Sequence, residues 1–432
     1  MTAPCAPDFR KPDQKGLRSR LFQVRLFCAR LGPGLITGAA DDDPSGISTY
    51  SVTGAAFGYA QLWTVLFSLP LMTAVQLMCA RLGIVTGLGL AALIRREYSR
   101  RVLWAACVLL TIANTVNIGA DLGGMASVTE MVTGVSSLVW APCYALTIAG
   151  FVVFASYASM AKIFKWLTLF LFGYVITAFL AHPDWPAVLR ATFIPHIEWS
   201  GRYWATLVGI LGTTISPYLF FWQASLEVEE SSASHDKIRT ALKRSWSDVT
   251  TGMAFSNVVM YFIILTSAAT LHVHGKTVIS TAQDAAEALK PLAGNAAYLI
   301  FSLGLIGSGM LGVPVLAGST AYALSEARGS RGSIADRPRT SRGFYSINGA
   351  GLLLGLALDY LKINAVAMLF WSAVLNGVLA PPLILIVLLL TGSRRVMREH
   401  TNPLWLTVLG WVAAVSMTAS AVMMFAAWKL GY

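Results

Sequence analysis

Residues 32–46 read GPGLITGAADDDPSG, an apolar run that meets three consecutive aspartates, a proline and a glycine. An ionised carboxylate at membrane depth is expensive, and such residues usually mark an ion or substrate pathway. Pro44 withholds a backbone donor and breaks the helical ladder. A broken membrane helix with a carboxylate at the break is a device by which secondary transporters hold a cation. The rest of the chain supplies the membrane setting. Of its 432 residues 56% are hydrophobic and 12% charged, with a mean hydropathy of +0.63. These values belong to a polytopic membrane protein and exclude an ordinary soluble domain.

A spanning helix needs about 20 mostly apolar residues. Eleven runs answer to that description, near 31–57, 60–87, 101–127, 135–156, 160–181, 203–228, 246–271, 295–324, 344–360, 363–391 and 402–430. The expected fold is all-α and polytopic, with eleven transmembrane helices after a basic cytoplasmic tail at 1–30. With that tail inside and every run crossing, 25 of the 32 Lys and Arg fall on the inner side and 6 on the outer. Arg81 stands near the inner end of the second span. This asymmetry places the N-terminus in the cytoplasm and the C-terminus outside, in a multi-pass protein of the cell (inner) membrane. The net charge of +11 is then topological, with some attraction to anionic inner-leaflet lipid. Nucleic acid is not an expected partner, and no feature sets an oligomeric state. Residues 1–30 lack the apolar core of a signal peptide. The five cysteines are scattered without a CxxC pair and read as packing residues.

The sixth run is interrupted as the first is. GILGTTISPYLFFWQAS places Gly212, Thr213, Thr214, Ser216 and Pro217 mid-span. Alone, Pro217 reads as a simple kink. Breaks in spans one and six point instead to two five-helix repeats of opposite orientation, 31–181 and 203–391, followed by a last span at 402–430. Such repeats set a site at mid-membrane between two unwound helices. Freed carbonyls there serve as cation ligands, because irregular backbone is tolerated only where it lines such a cavity.

Four further stretches carry a resemblance. Gly32-Pro33-Gly34 leads to Asp43-Pro44-Ser45-Gly46 where the Nramp divalent-metal transporters read GPG and then DPGN. Ala80 to Gly87, ARLGIVTG, matches the family's turn after the second helix. Ala120-Asp121-Leu122 stands for its TDL, and Ser216-Pro217-Tyr218 for its MPH. The chain resembles this family over nearly its whole length. The resemblance implies a LeuT-like inverted repeat of helices 1–5 and 6–10, with helices 1 and 6 unwound at mid-membrane. It implies import of Mn and Fe, usually with protons, and neither enzymatic activity nor a bound cofactor beyond the transported cation.

The departures lie at the site. Asp43 matches the family's metal-binding aspartate, but the asparagine three residues on is Gly46. The methionine of helix six is Ser216 and the proton-linked histidine is Tyr218. The acid three residues after Asp121 is Gly124. Asn376, in VLNGVLAPP, takes the place of a glutamine often found near the site. A thioether favours transition metals over Mg and Ca. Its replacement by a hydroxyl leaves an all-oxygen set: Asp43, the carbonyls near Ala40 and Thr213, and Ser216. Mg keeps several waters and is held by one or two carboxylates, and Mn also tolerates oxygen, so the site admits both. Some divergent relatives in the wider superfamily carry Mg and lack this methionine.

Successive helical residues point about 100° apart. Asp41, Asp42 and Asp43 therefore face one ion only if the helix is already unwound. Asp43 is the expected ligand. Asp42 and Asp41 line the permeation path, pair with a polar neighbour, or are buried protonated acids. Family precedent gives Asp121 a role in proton release, with Asp42, Tyr218 and Asn376 along the ion pathway. Coupling stays open without the usual histidine and acid. Glu227, Glu229 and Glu230 read as a solvated cytoplasmic face, and 328–343 as a flexible linker. His272 and His274 lack a third ligand, and Gly318-Ser319-Thr320 read as close-packing residues. Two other classes compete with a divalent-cation importer and its Mg-preferring, uncoupled variant. An organic-solute symporter of the same fold is opposed by three aspartates at the break. An aspartate-dyad membrane enzyme using Asp43 and Asp121 has no supporting motif.

Overall fold

The computed structural model describes residues 37–38, 40–154, 169–234, 237–330, 332–334, 336, 338–361 and 363–431. The tail at 1–30, the Gly32-Pro33-Gly34 motif and the first part of the expected fifth span lie outside the described residues. Among the described residues every regular element is helical. Labels follow the helices of eight residues or more. They are α1 (Pro44–Phe57), α2 (Trp63–Thr86), α3 (Leu90–Glu97), α4 (Arg100–Thr133), α5 (Ser137–Phe154), α6 (Phe172–Leu180) and α7 (Trp185–Phe193). Then follow α8 (Gly201–Thr214), α9 (Pro217–Ser234), α10 (Ile238–Thr270), α11 (Ala297–Arg328), α12 (Arg342–Asp359), α13 (Ala365–Gly392) and α14 (Leu404–Leu430).

Eight helical segments among the described residues are long and apolar enough to cross a membrane, where eleven runs were expected. Two of the three others differ for physical reasons. The break at Asp43-Pro44 leaves α1 only 14 residues long. The fifth run falls only partly within the described residues, where α6 has 9 residues. The ninth, α12, carries Arg342, Asn348 and Asp359 within its 18 residues and is correspondingly less apolar.

Helices in lipid gain little from hydrophobic burial against one another, and small residues that let backbones approach closely take its place. α8 and α13 meet in this way. A β-carbon on Gly212 would fall on the Ala373 carbonyl and the Gly377 amide, and one on Gly377 on the Val208 carbonyl. α11 lies along α4, and α10 along both α1 and α2. In α11 the expected packing residues do pack: Gly318 abuts the Trp222 ring, while Ser319 and Thr320 accept hydrogen bonds from Asn114 Nδ2 on α4. These contacts bring both breaks, α4, α10 and α11 to one buried locus.

Candidate functional site

At the first break, residues 40 and 41 are helical, Asp42 bends the chain, and Asp43 turns extended (φ −69°, ψ 169°) to cap α1. Pro44 suits this place because the first helical position has no amide partner to lose. Asp43 Oδ1 accepts the Ser45 hydroxyl at 2.6 Å and the Gly46 amide at 2.8 Å. Oδ2 points the other way. It accepts Asn117 Nδ2 at 2.9 Å and lies 3.5 Å from the Tyr218 hydroxyl. Asp43 is 2% exposed, and among the described residues it forms no ion pair. The positive end of the α1 dipole supports its charge.

At the second break α8 ends at Thr214 and α9 begins at Pro217, with Ile215 out of helical conformation (φ −121°, ψ 57°). Ser216 sends its hydroxyl back to the α8 terminus, 2.8 Å from the Gly212 carbonyl and 2.7 Å from that of Thr213. It therefore caps the helix whose carbonyl end, with its partial negative charge, faces the gap. The Thr213 hydroxyl reaches Tyr50 Oη on α1 at 2.9 Å and so ties the two broken helices together. Tyr218 stands between the expected ligands, its hydroxyl 3.2 Å from the Ala40 carbonyl. Ala40, Asp43 and Tyr218 thus converge, while Thr213 reaches the first break through Tyr50 and Ser216 turns its hydroxyl to its own helix end.

The aspartate triplet divides. Asp41 Oδ2 and Asp42 Oδ1 both accept from Ser256 Oγ of α10, at 2.7 and 3.0 Å, while Asp43 faces α4 and α9. The Asp42 carbonyl accepts from the Ser308 hydroxyl of α11. Asp121 follows Asn117 by four residues and shares its face of α4. Among the described residues neither of its oxygens makes a hydrogen bond of normal geometry; the Ser45 amide approaches it, and the Asp43 carboxylate and the Tyr218 hydroxyl are near. Gly46 leaves room: a β-carbon there would sit 3.4 Å from the Tyr50 ring, an ordinary contact. Gly124 does not, since a β-carbon would press on Leu369 Cδ1. Asn376 is buried on α13 and makes no hydrogen bond to Asp43, Ser216 or Tyr218. Among the described residues no group of three His, Cys, Asp or Glu side chains is arranged to hold a metal. A cation here would meet one carboxylate and neutral oxygens.

Sequence reasoning passed over Asn117, Ser256, Tyr50 and Ser308. Asn117 had a usable signal, standing one turn before Asp121 in a spanning helix. The acids at the end of α9 are not the solvated face expected of them. Glu227 is buried and accepts from Gln223 Nε2 and the Ser245 hydroxyl, at 3.0 and 2.7 Å. Glu229 accepts from the Tyr322 hydroxyl, and Glu230 pairs with Arg244. These three acids are interhelical ties, because the end of α9 is packed against its neighbours. Within 328–343, Ile334 is tied to the helices, its amide donating to Tyr322 Oη and its carbonyl accepting from the Tyr345 hydroxyl. His272 and His274 each set a ring nitrogen against a backbone carbonyl, of Ala55 and Thr270 respectively.

Known proteins share this arrangement of helices. A family model described as natural resistance-associated macrophage protein-like matches residues 34–427. The chain is 28% identical over 397 residues to the divalent metal cation transporter MntH of Klebsiella pneumoniae (strain 342), covering 90% of this chain and 91% of that one. It is 31% identical over 299 residues to the MntH of Yersinia pestis (strain Pestoides F), covering 68% and 71%. Its fold superposes on the Eremococcus coleocola manganese transporter with a TM-score of 0.73 at 19% identity, over 96% of this chain and 88% of the other.

Proposed function

The chain belongs to the natural resistance-associated macrophage protein-like (Nramp) family, and from that premise we propose that it imports divalent cations, Mn2+ or Mg2+, by alternating access. The ion sits between two helices unwound at mid-membrane, in an inverted repeat of helices 1–5 and 6–10 within eleven spans. The observation that carries this reading is Asp43 Oδ2: a buried carboxylate oxygen at the break, with no basic side chain against it, facing the Tyr218 hydroxyl that also touches the Ala40 carbonyl.

A cation entering here turns the Tyr218 hydroxyl, its O–H bond intact, away from Asp43 Oδ2 and the Ala40 carbonyl, so that a lone pair of the phenol oxygen faces the ion. Carbonyls at the α8 terminus complete a set of hard oxygens. Mg2+ and Mn2+ accept such a set, and neither needs the thioether that Ser216 lacks. Two features support alternation. α1, α8 and α13 close over one side of the site, where Gly209 fits against Thr49, Phe370 and Val374. Toward the side expected to be cytoplasmic, an open cleft of about 700 Å3 lies between Gly89, Arg95, Glu229, Glu326 and Asp336, and an ion leaving the site on that side would pass it. Asp121, buried one turn from Asn117 with no hydrogen bond of normal geometry among the described residues, is the group suited to take up a coupled proton.

Reconstitution in liposomes tests this. Isotopic Mn2+ uptake should exceed that of empty vesicles and fall with added Mg2+, and a dye in the lumen reports acidification when protons accompany the metal. Absence of both Mn2+ and Mg2+ uptake by folded protein would sink the reading. Ser216→Met, which puts a soft ligand at the α8 lip, should raise Cd2+ uptake relative to Mg2+ by about tenfold. An unchanged ratio would remove position 216 from the ion's surroundings.

A further inference from the structure

We propose that Asn117 is a direct ligand of the transported cation, supplying from α4 the amide oxygen that Gly46 cannot supply from α1. The inference rests on the transport reading above and concerns the same site. Three observations carry it. Asn117 Nδ2 lies 2.9 Å from Asp43 Oδ2, the carboxylate oxygen turned toward the gap. Among the described residues Asn117 Oδ1 has no hydrogen-bond partner, although the residue is 0% exposed. The backbone around it is a regular stretch of α4, so the side chain is held by a rigid element.

A buried amide normally satisfies both of its ends. Here the nitrogen end is spent on Asp43 and the oxygen end is left over. Both heteroatoms hang on one carbon, so Oδ1 stands beside the same carboxylate that the cation must reach. A divalent ion on Asp43 Oδ2 repels the amide hydrogens and attracts the oxygen. Rotation about the last side-chain bond exchanges the two ends, and the orphaned acceptor then becomes a ligand. Neutral amide oxygens are ordinary ligands of hard divalent ions. The side chain at 46 cannot compete for this role, since glycine ends at its α-carbon and its amide is committed to Asp43 Oδ1.

Asn117 could instead serve purely to orient Asp43, and the test separates the two roles. Mn2+ and Cd2+ binding to the purified protein is measured by calorimetry for Asn117→Ala, Asn117→Cys and Asp43→Ala, with melting curves to verify folding. Asn117→Ala should weaken Mn2+ binding by tenfold or more. Asn117→Cys should raise the ratio of Cd2+ to Mn2+ affinity by a similar factor, because a thiolate in contact with the ion prefers the softer metal. If Asn117→Cys leaves that ratio at the wild-type value while Asp43→Ala abolishes binding, Asn117 does not touch the ion and the proposal falls, with the site at Asp43 intact. If Asp43→Ala also binds Mn2+ as the wild type does, the site itself is misassigned and both readings fall together.

Discussion

Asp43→Ala reduces Mn2+ uptake in proteoliposomes to that of empty vesicles, a loss of at least about 100-fold. The magnitude follows from charge. Two unit charges about 4 Å apart at an effective dielectric near 20 interact by about 4 kcal/mol, and a divalent ion doubles that. Each 1.4 kcal/mol is tenfold in affinity, so even a heavily offset attraction leaves two orders of magnitude. Capping supplies the control. Asp43 also accepts the Gly46 amide as the cap of α1, a contribution of about 1 kcal/mol. Asp43→Asn keeps a capping oxygen, loses the charge, and sets an amide donor where Oδ2 accepts from Asn117 Nδ2, a mismatch that a flip of the Asn117 amide relieves. It should fold and melt like the wild type and still fail to transport. Uptake by Asp43→Asn within threefold of wild type would move the ion away from this residue.

The ease with which this site was read depended on how local its signals are. Asp43, Pro44 and the Gly212–Pro217 stretch are legible because each acts on its own backbone: a cap, a missing donor, a run of poor helix formers. Their convergence needed the repeat argument, which the family resemblance strengthened. Asp41 and Asp42 resisted because their partner, Ser256, lies 215 and 214 positions away on a helix with no local mark of its role. A serine in a spanning run commonly bonds its own preceding turn, and nothing in the sequence distinguishes one that reaches across. Glu227 failed in the opposite direction. A cluster of acids at a helix end looks solvated, and only the packing of Gln223 and Ser245 around it shows a buried acceptor.

Ser256 belongs to a larger pattern that a single substitution can break. α10 runs beside the described part of the first broken helix, from Gly38 to Gly54. Below the break, a β-carbon on Gly38 would overlap the backbone of Gly252; at the break, Ser256 holds Asp41 and Asp42; above it, a β-carbon on Gly54 would overlap the Ile264 carbonyl and crowd Ser267 and Ala268. α10 is thus a splint for a helix that cannot hold its own line through Asp42 and Asp43. Gly54→Leu drives a side chain into main-chain atoms that have no rotamer by which to yield. Overpacking costs about 1–3 kcal/mol where side chains can adjust, and more where the backbone must move. The substitution therefore forces α1 away from α10 and pulls Ser256 from the two carboxyls. The expected result is loss of the monodisperse peak in detergent, with at least about tenfold less folded protein. Gly150→Leu, on α5 with nothing within 4 Å of a β-carbon, is the matched control and should leave yield unchanged. A Gly54→Leu protein with wild-type yield and melting would mean that α1 and α10 do not touch at the main chain, and Asp41 and Asp42 would then need another partner to hold them in the membrane.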